Sequence, residues 1–356
     1  MLFCFHLIIF SWQKWGDVRK LSVVLVVVLI CLVNCTKNPS GPTSPESSLV
    51  YLPHLDKVFV VDSSQDKILD SMKFNFYISD LNLSPDRRVL YLQKVEYRHP
   101  CRPPCPDSIV EVNVNNKTII YEGENSSLFP TPEGRLLVST YNGLKIFSAR
   151  THQIVYEDNL VVTTRPTFDS QYPLFYVGMA DKRILVFDYQ RLQIVRYLDA
   201  LVDKKFPPIF DILYSEIDNK LYFSSYFSPS LNDSFITFTS YLGNIDIKRD
   251  RIITMEQLNS SWGEGYLYSS TVTKKIYDLC WCFCVAIPEL IPFSLFGFST
   301  NTQEIVSELD LYNASLAPFS LKVLEGSQKA YLVDSWSGNI AIIDLEQNKI
   351  VGYISR

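Results

Sequence analysis

The stretch Val60-Val61-Asp62-Ser63-Ser64-Gln65-Asp66-Lys67-Ile68 holds the pattern that decides the fold of this chain. Two β-branched residues lead into an aspartate, five polar residues follow, and an isoleucine opens the next apolar segment. Short runs rich in Val and Ile, bounded by turn-forming residues, predict β-strands. The stretch therefore predicts two antiparallel strands joined by a tight turn.

The same pattern occurs seven times from residue 49 onward. Each copy has an Asp, Asn or Ser, here called the turn residue, and an isoleucine six residues later. The pairs are Asp62 and Ile68, Asn113 and Ile119, Ser148 and Ile154, Asp188 and Ile194, Asp246 and Ile252, Ser299 and Ile305, and Asp344 and Ile350. Successive turn residues are 35 to 58 residues apart. The chain is therefore a repeat protein.

A second element precedes the turn residue in each copy, an apolar residue followed by what we call the tyrosine position. The residues there are Tyr51, Tyr91, Leu137, Tyr176, Tyr222, Tyr277 and Tyr331. Four short strands per copy and a period in the forties are the signature of a propeller blade. We predict an all-β, seven-bladed β-propeller of four-stranded antiparallel blades over residues 49–356, with no obvious innermost strand in the first copy.

The close of each copy resembles a known repeat family. Val60-Val61-Asp62 through Lys67-Ile68, and Ile342-Ile343-Asp344 through Lys349-Ile350, are similar to the "V-I-D, polar turn, K-V" close of a YVTN repeat. The chain thus resembles the seven-bladed propellers of the YVTN and WD40-like type. That resemblance implies the fold and leaves function open, because the architecture hosts hydrolases, dehydrogenase subunits and binding scaffolds.

Composition and charge exclude several classes of protein. The chain is 47% hydrophobic and 13% aromatic, which is too apolar for a disordered chain. It has 33 Lys and Arg against 38 Asp and Glu, a net charge of -5, and no basic block. Nucleic acid is therefore not expected as a partner.

The N-terminal region predicts an export signal. Leu21 to Val33 is apolar, follows Arg19 and Lys20, and is too short to span a bilayer but long enough for a signal peptide. Leu32-Val33-Asn34-Cys35 resembles the lipobox of bacterial lipoproteins, in which the cysteine is lipidated. We predict a signal peptide over residues 1–34, with the true start at Val18 or a neighbour. A short uncleaved membrane anchor is the alternative.

Residues 35–48 then predict a lipidated Cys35 and a flexible tether. The segment TKNPSGPTSPESS at 36–48 is rich in Pro, Ser and Thr and has too little apolar surface to order itself. The expected location is the bacterial cell envelope, at the outer membrane or the cell surface, with the lipid as the contact to the membrane.

Counting eleven residues back from the tyrosine positions gives the candidates for the mouth of the central channel. These are Asp80, Arg165, Asp211, Tyr266 and Ser320. Their carboxylates, guanidinium and hydroxyls suit a cation or a polar ligand, and a merely solvated channel is the alternative.

Three copies carry a longer connection between the tyrosine position and the turn residue, 22 to 24 residues instead of 11 to 13. The extra residues lie at Glu96 to Asp107, Tyr226 to Ser234 and Phe283 to Pro292. Insertions on one face of a repeat array mark its working face, and neutral drift of loop length is the alternative. In the first insertion Cys101 and Cys105 are disulfide candidates, and a zinc site that includes His99 is the alternative.

The sequence thus predicts a lipid-anchored envelope propeller that binds or scaffolds a protein, peptide or glycan, without a cofactor or a metal. No Gly-x-Ser-x-Gly, His-Glu-x-x-His or P-loop motif is present. Two alternatives remain. One is an enzyme, by resemblance to lactonase-type propellers, with its site in the channel mouth. The other is an accessory subunit of an envelope assembly machine.

Overall fold

The computed structural model describes residues 48–95, 108–123, 128–140, 143–202, 208–227, 239–258, 264–281, 293–316, 318–324 and 326–355. These residues form 27 strands in seven antiparallel sheets, which we call blades 1 to 7.

Blade 1 contains β1 (Leu49–His54), β2 (Lys57–Asp62) and β3 (Lys67–Lys73). Blade 2 contains β4 (Tyr77–Leu83), β5 (Val89–Val95), β6 (Ser108–Asn113) and β7 (Thr118–Gly123). Blade 3 contains β8 (Phe129–Pro130), β9 (Leu136–Ser139), β10 (Leu144–Ser148) and β11 (Ile154–Asp158).

The other four blades follow the same order. Blade 4 contains β12 (Thr167–Phe168), β13 (Leu174–Gly178), β14 (Ile184–Asp188) and β15 (Gln193–Leu198). Blade 5 contains β16 (Ile209–Ser215), β17 (Lys220–Phe227), β18 (Thr239–Asp246) and β19 (Arg251–Leu258). Blade 6 contains β20 (Glu264–Ser270), β21 (Lys275–Trp281), β22 (Ser294–Ser299) and β23 (Ile305–Asp310). Blade 7 contains β24 (Pro318–Val323), β25 (Lys329–Asp334), β26 (Ile340–Asp344) and β27 (Lys349–Ile354).

The seven-bladed, all-β prediction is confirmed, with four-stranded sheets in blades 2 to 7. Blade 1 has three strands among the described residues, and its β1 carries Tyr51, so β1 corresponds to the second strand of the other blades. The missing innermost strand matches the sequence pattern of the first copy. In the part of the chain that the structure describes, no helix has the length and apolarity needed to cross a membrane.

Apolar side chains fill the spaces between neighbouring blades. Between blades 7 and 1, for example, Val61 and Leu52 form one cluster with Tyr331, Val333 and Ile340. Blade 7 therefore packs directly on blade 1, and this contact closes the ring. The fourth strands consist mainly of exposed and half-buried residues and therefore form the outer rim. The first strands lie against each other at the centre.

The turn residue has the same role in every blade. Its side-chain oxygen accepts a backbone N–H two or three residues ahead, as when Ser64 N donates to Asp62 Oδ1 at 2.8 Å. The same bond is made by Asn113, Ser148, Asp188, Asp246, Ser299 and Asp344. The isoleucine six residues later pairs with the residue before the turn residue, as Ile68 does with Val61. The constant offset of six is therefore the length of one turn.

The fourth residue after each turn residue, which we call the hook position, has a positive φ in all seven blades. The residues are Asp66, Lys117, His152, Leu192, Asp250, Gln303 and Asn348, with φ from 49° to 63°. This backbone conformation directs the side chain toward the preceding blade. Asp66 of blade 1, for example, accepts hydrogen bonds from Lys329 and Tyr331 of blade 7.

A β-bulge interrupts the outer strand of every blade. The residue seven positions after the turn residue has no partner in the register of the third strand. The bulged residues are Leu69, Ile120, Val155, Val195, Ile253, Val306 and Val351. All are aliphatic and between 40% and 53% exposed. Bulges of this kind bend a strand and increase its twist.

Candidate functional site

Four of the five channel candidates occupy equivalent places in the inner strands. Each pairs with the residue two positions past the tyrosine position: Asp80 with Gln93, Asp211 with Ser224, Tyr266 with Leu279, and Ser320 with Val333. Asp211, Tyr266 and Ser320 are the third residues of their strands and Asp80 is the fourth, so all lie toward the start or at the midpoint. In an antiparallel blade the start of the inner strand is the end where the second and third strands are joined, which we call the hairpin face.

The fifth candidate, Arg165, precedes β12 and forms a forked ion pair with Asp211 of blade 5. Nε of Arg165 lies 3.2 Å from both carboxylate oxygens, and Nη2 lies 2.9 Å from Oδ2. Asp211 is buried and also accepts the backbone N–H of Leu267 at 2.9 Å. Burial lowers the pKa of Arg165 more than any other single influence, but Asp211, Tyr268 and Asp80 together outweigh burial, so the pKa is raised. The guanidinium therefore stays charged.

Two tyrosines of blade 6 surround the same guanidinium. Cζ of Arg165 lies 5.1 Å from the ring centroid of Tyr266 and 5.5 Å from that of Tyr268. Such distances permit cation–π attraction. Tyr266 also makes an edge contact with Phe210 of blade 5, with ring centroids 5.6 Å apart. Burial raises the pKa of Tyr268 to about 12, against the opposing effect of Arg165.

Asp80 of blade 2 is the remaining acid of this group. Its Oδ1 accepts the amide N–H of Leu81 at 2.7 Å, and the residue is half-buried. Burial raises the pKa of Asp80, while the charges of Arg165 and Lys322 oppose the rise. The charges of Arg165 in blade 4 and Lys322 in blade 7 both act on Asp80 in blade 2, so these three residues lie in the same region of the channel. We call Asp80, Arg165, Asp211, Tyr266 and Tyr268 the channel cluster.

Ser320 does not join the channel cluster through any contact among the described residues. Its hydroxyl donates to the carbonyl oxygen of Pro53 in blade 1 at 3.2 Å. Lys322, two residues further along the same strand, supplies the charge that acts on Asp80. Of the other predicted sites, Cys35, Cys101 and Cys105 lie outside the described residues.

Sequence reasoning missed Tyr268 and Lys322. Both lie two residues after a predicted candidate on the same inner strand, at Tyr266 and Ser320 respectively. Side chains two residues apart on a strand share a face, so the alternation of strand side chains is the signal that could have identified both. It also missed the backbone of Leu267, which both donates to Asp211 and accepts from Arg165.

The arrangement can provide a charged hydrogen-bonding surface at the channel mouth. Arg165 and Asp211 neutralise each other, and Asp80 offers a second carboxylate beside aromatic rings. Among the described residues there is no group of three or more His, Cys, Asp or Glu side chains that could hold a metal ion.

The strand bounds locate the three long connections. Eleven or twelve residues separate β5 from β6, β17 from β18 and β21 from β22, against two to five in the other four blades. The connections themselves fall largely outside the described residues, but the strand ends that bear them lie at the hairpin face. The channel cluster and the long connections therefore occur at the same end of the propeller.

Comparison with known proteins identifies the fold alone. No family model and no curated protein matches the chain. A solved hydrazine synthase from Kuenenia stuttgartiensis is 13% identical with a TM-score of 0.59, covering 78% of this chain and 86% of that one. Dihydro-heme d1 dehydrogenase NirN in complex with DHE is also 13% identical with a TM-score of 0.58, covering 91% of this chain and 76% of that one. Since 1308 solved chains resemble this structure, the likeness selects no function, and what it establishes is a seven-bladed β-propeller.

Proposed function

We propose that this chain is a binding module of the bacterial cell envelope, held to a membrane by a lipid on Cys35, that captures a protein, peptide or glycan at its hairpin face. The observation that carries the proposal is the coincidence of the channel cluster with the three long connections at one end of the ring. Binding loops on a rigid scaffold are a recurrent use of repeat folds.

Exposed apolar residues at the hairpin face support this proposal. Trp336 lies in the connection between β25 and β26 and is 68% exposed, and Leu55 lies in the connection between β1 and β2. Tryptophan in particular is enriched at the energetic centres of protein interfaces.

The residue types in the channel cluster do not favour hydrolysis by an activated nucleophile. The forked contact of Arg165 with Asp211, together with its bond to Leu267, directs these charges at the protein itself. A nucleophile activated by a base is the usual arrangement in hydrolases. The cluster holds two acids, one arginine and two tyrosines, and none of its members is a histidine, serine or cysteine.

A lactonase-type hydrolase is the second candidate, and one observation favours it. The pKa of Asp80 is raised by burial, and carboxylates with raised pKa values serve as general acids or bases in enzyme sites. In that case Asp80 would be the residue that exchanges protons with a substrate.

Affinity capture from detergent-solubilised envelope tests the proposal with two matched variants. Trp336→Ala and Tyr172→Ala each remove an exposed aromatic side chain, but Tyr172 lies in the β12–β13 connection at the opposite face and is 61% exposed. We expect Trp336→Ala to reduce recovery of a partner about tenfold and Tyr172→Ala to leave it unchanged. Equal recovery by wild type and both variants would overturn the proposal.

The hydrolase candidate needs a separate measurement. Turnover of a panel of lactones by the wild-type protein, lost in Asp80→Asn while partner capture persists, would replace binding by catalysis as the primary function. Absence of turnover, with capture dependent on Trp336, supports the binding module.

A further inference from the structure

The interface between blades 2 and 3 contains a buried acid paired with a histidine. Nε2 of His152, at the hook position of blade 3, lies 2.7 Å from Oε1 of Glu111 on β6. The imidazole stacks on the ring of Tyr121, with centroids 3.9 Å apart and the planes 4° from parallel. The Glu111 side chain is 4% exposed and that of His152 is 23% exposed. This pair therefore lies at the boundary between the blade interface and solvent.

Two other blade interfaces place interacting residues at the same two positions. Glu111 lies two residues before its turn residue, and the hook position of the following blade meets it. Asn244 and Gln303 occupy the same two positions at the interface of blades 5 and 6 and are hydrogen-bonded. Ile146 and Leu192 occupy them at the interface of blades 3 and 4, where both belong to one apolar cluster. At these three interfaces the two residues are matched in chemistry. Among the three pairs, Glu111 and His152 are the one in which both side chains can change charge.

Three groups face Glu111 from the elements around it. His152 approaches from blade 3, Tyr91 lies opposite on β5, and Tyr121 lies opposite on β7. Burial and the charge of Glu111 raise the pKa of Tyr91, so that Tyr91 remains neutral. Arg150 belongs to the same turn as His152 and is exposed. His152 is therefore the group that can balance the charge of Glu111.

We propose that Glu111 and His152 form a pH-sensitive latch that holds blade 2 to blade 3 more firmly in mild acid than in mild alkali. Histidine is the side chain that takes up protons between about pH 5 and 8. With a proton on the imidazole, the contact is an ion pair with a charge-assisted hydrogen bond. Without it, a buried carboxylate faces a neutral ring and keeps an unbalanced charge.

The direction of the pKa of Glu111 agrees with this sign. Burial raises it, and the hydrogen bond and charge of His152 oppose the rise. A group whose pKa is raised by folding contributes stability that is present at low pH and is lost as pH rises through the pKa of the folded state. Glu111 therefore loosens the interface toward alkali.

Hydrogen exchange measured by mass spectrometry at pH 6 and pH 8, corrected for intrinsic exchange rates, tests the latch within the wild-type protein. The Asn244–Gln303 interface is a matched internal control that does not titrate. We expect protection of β6 and β7 to be about tenfold higher at pH 6, the change that one pKa unit of coupling produces. Protection of β18 and β19 should stay constant. Equal pH responses at the two interfaces would overturn the proposal.

A double variant, Glu111→Asn with His152→Gln, places the Asn244–Gln303 chemistry at the interface of blades 2 and 3. We expect it to fold and to lose the pH response of β6 and β7. If it keeps the wild-type response, the titrating group lies elsewhere and the latch is wrong. The wild-type comparison decides the question by itself if the double variant does not fold.

Discussion

Arg165 of blade 4 donates a hydrogen bond of 2.8 Å from Nη2 to the carbonyl oxygen of Leu267 in blade 6. The same guanidinium holds Asp211 of the intervening blade 5. Three consecutive blades thus share one cation at the hairpin face. Its planar fork is required, because Nε and Nη2 both bind the carboxylate of Asp211 while Nη2 also reaches the carbonyl oxygen of Leu267.

Replacing this fork by a point charge should destabilise the fold. We expect Arg165→Lys to lower the free energy of unfolding by about 2 kcal/mol, since Lys cannot bind Asp211 with two nitrogens and reach Leu267 as well. Urea unfolding measures the loss. Arg183→Lys is the control, because Arg183 pairs with Asp181 at the surface and should show no measurable change. Equal losses in the two variants would contradict a role for Arg165 in joining the blades.

The turn residues of different blades should contribute similar amounts to the free energy of unfolding. Asp188 accepts the amides of Gln190 and Arg191, and Asp344 accepts those of Glu346 and Gln347. We expect Asp188→Ala and Asp344→Ala each to cost about 1 kcal/mol in thermal or urea unfolding. A variant with wild-type stability would show that the turn of that blade is held by other contacts.

The predicted disulfide should affect binding more than stability. If Cys101 and Cys105 close a short loop in the first long connection, they reduce the conformations that a partner must freeze. We expect Cys101→Ser with Cys105→Ser to weaken partner capture and leave Tm nearly unchanged. Shortening the second and third long connections should act in the same direction, whereas trimming the β13–β14 connection should have no effect. Capture that is equal in all these variants would leave drift of loop length as the explanation.

Lipidation at Cys35 predicts a change of compartment on mutation. Cys35→Ala should give a protein that no longer partitions with membranes into detergent, because one acyl-bearing residue supplies the contact. Membrane fractionation followed by immunoblotting measures this. An unchanged distribution would favour an uncleaved anchor.

The periodic part of the molecule could be predicted from the sequence. A turn of fixed length imposes a fixed offset, so Asp62 and Ile68 and their six counterparts identified every blade. Counting eleven residues back from the tyrosine position located residues in or just before the inner strands, namely Asp80, Arg165, Asp211 and Tyr266. These four residues converge in the structure because the inner strands surround one axis.

The contacts between blades were harder to predict. Glu111 and His152 are 41 residues apart in sequence, and His152 occupies a left-handed position that glycine or asparagine more often fills. Their proximity depends on how one blade packs on the next, which strand patterns do not encode. Strand alternation places Lys322 on the same face as Ser320, but its effect on Asp80 in blade 2 depends on how the blades are arranged.

The bulges of the outer strands bear on how copies of this protein behave together. Each blade presents one outward edge, and an unbroken edge strand is a template on which another chain can add. The extra aliphatic residue at Leu69, Val351 and their counterparts interrupts the row of amide and carbonyl groups near the start of every such edge. Copies crowded side by side can therefore touch at their rims without their sheets joining into a polymer.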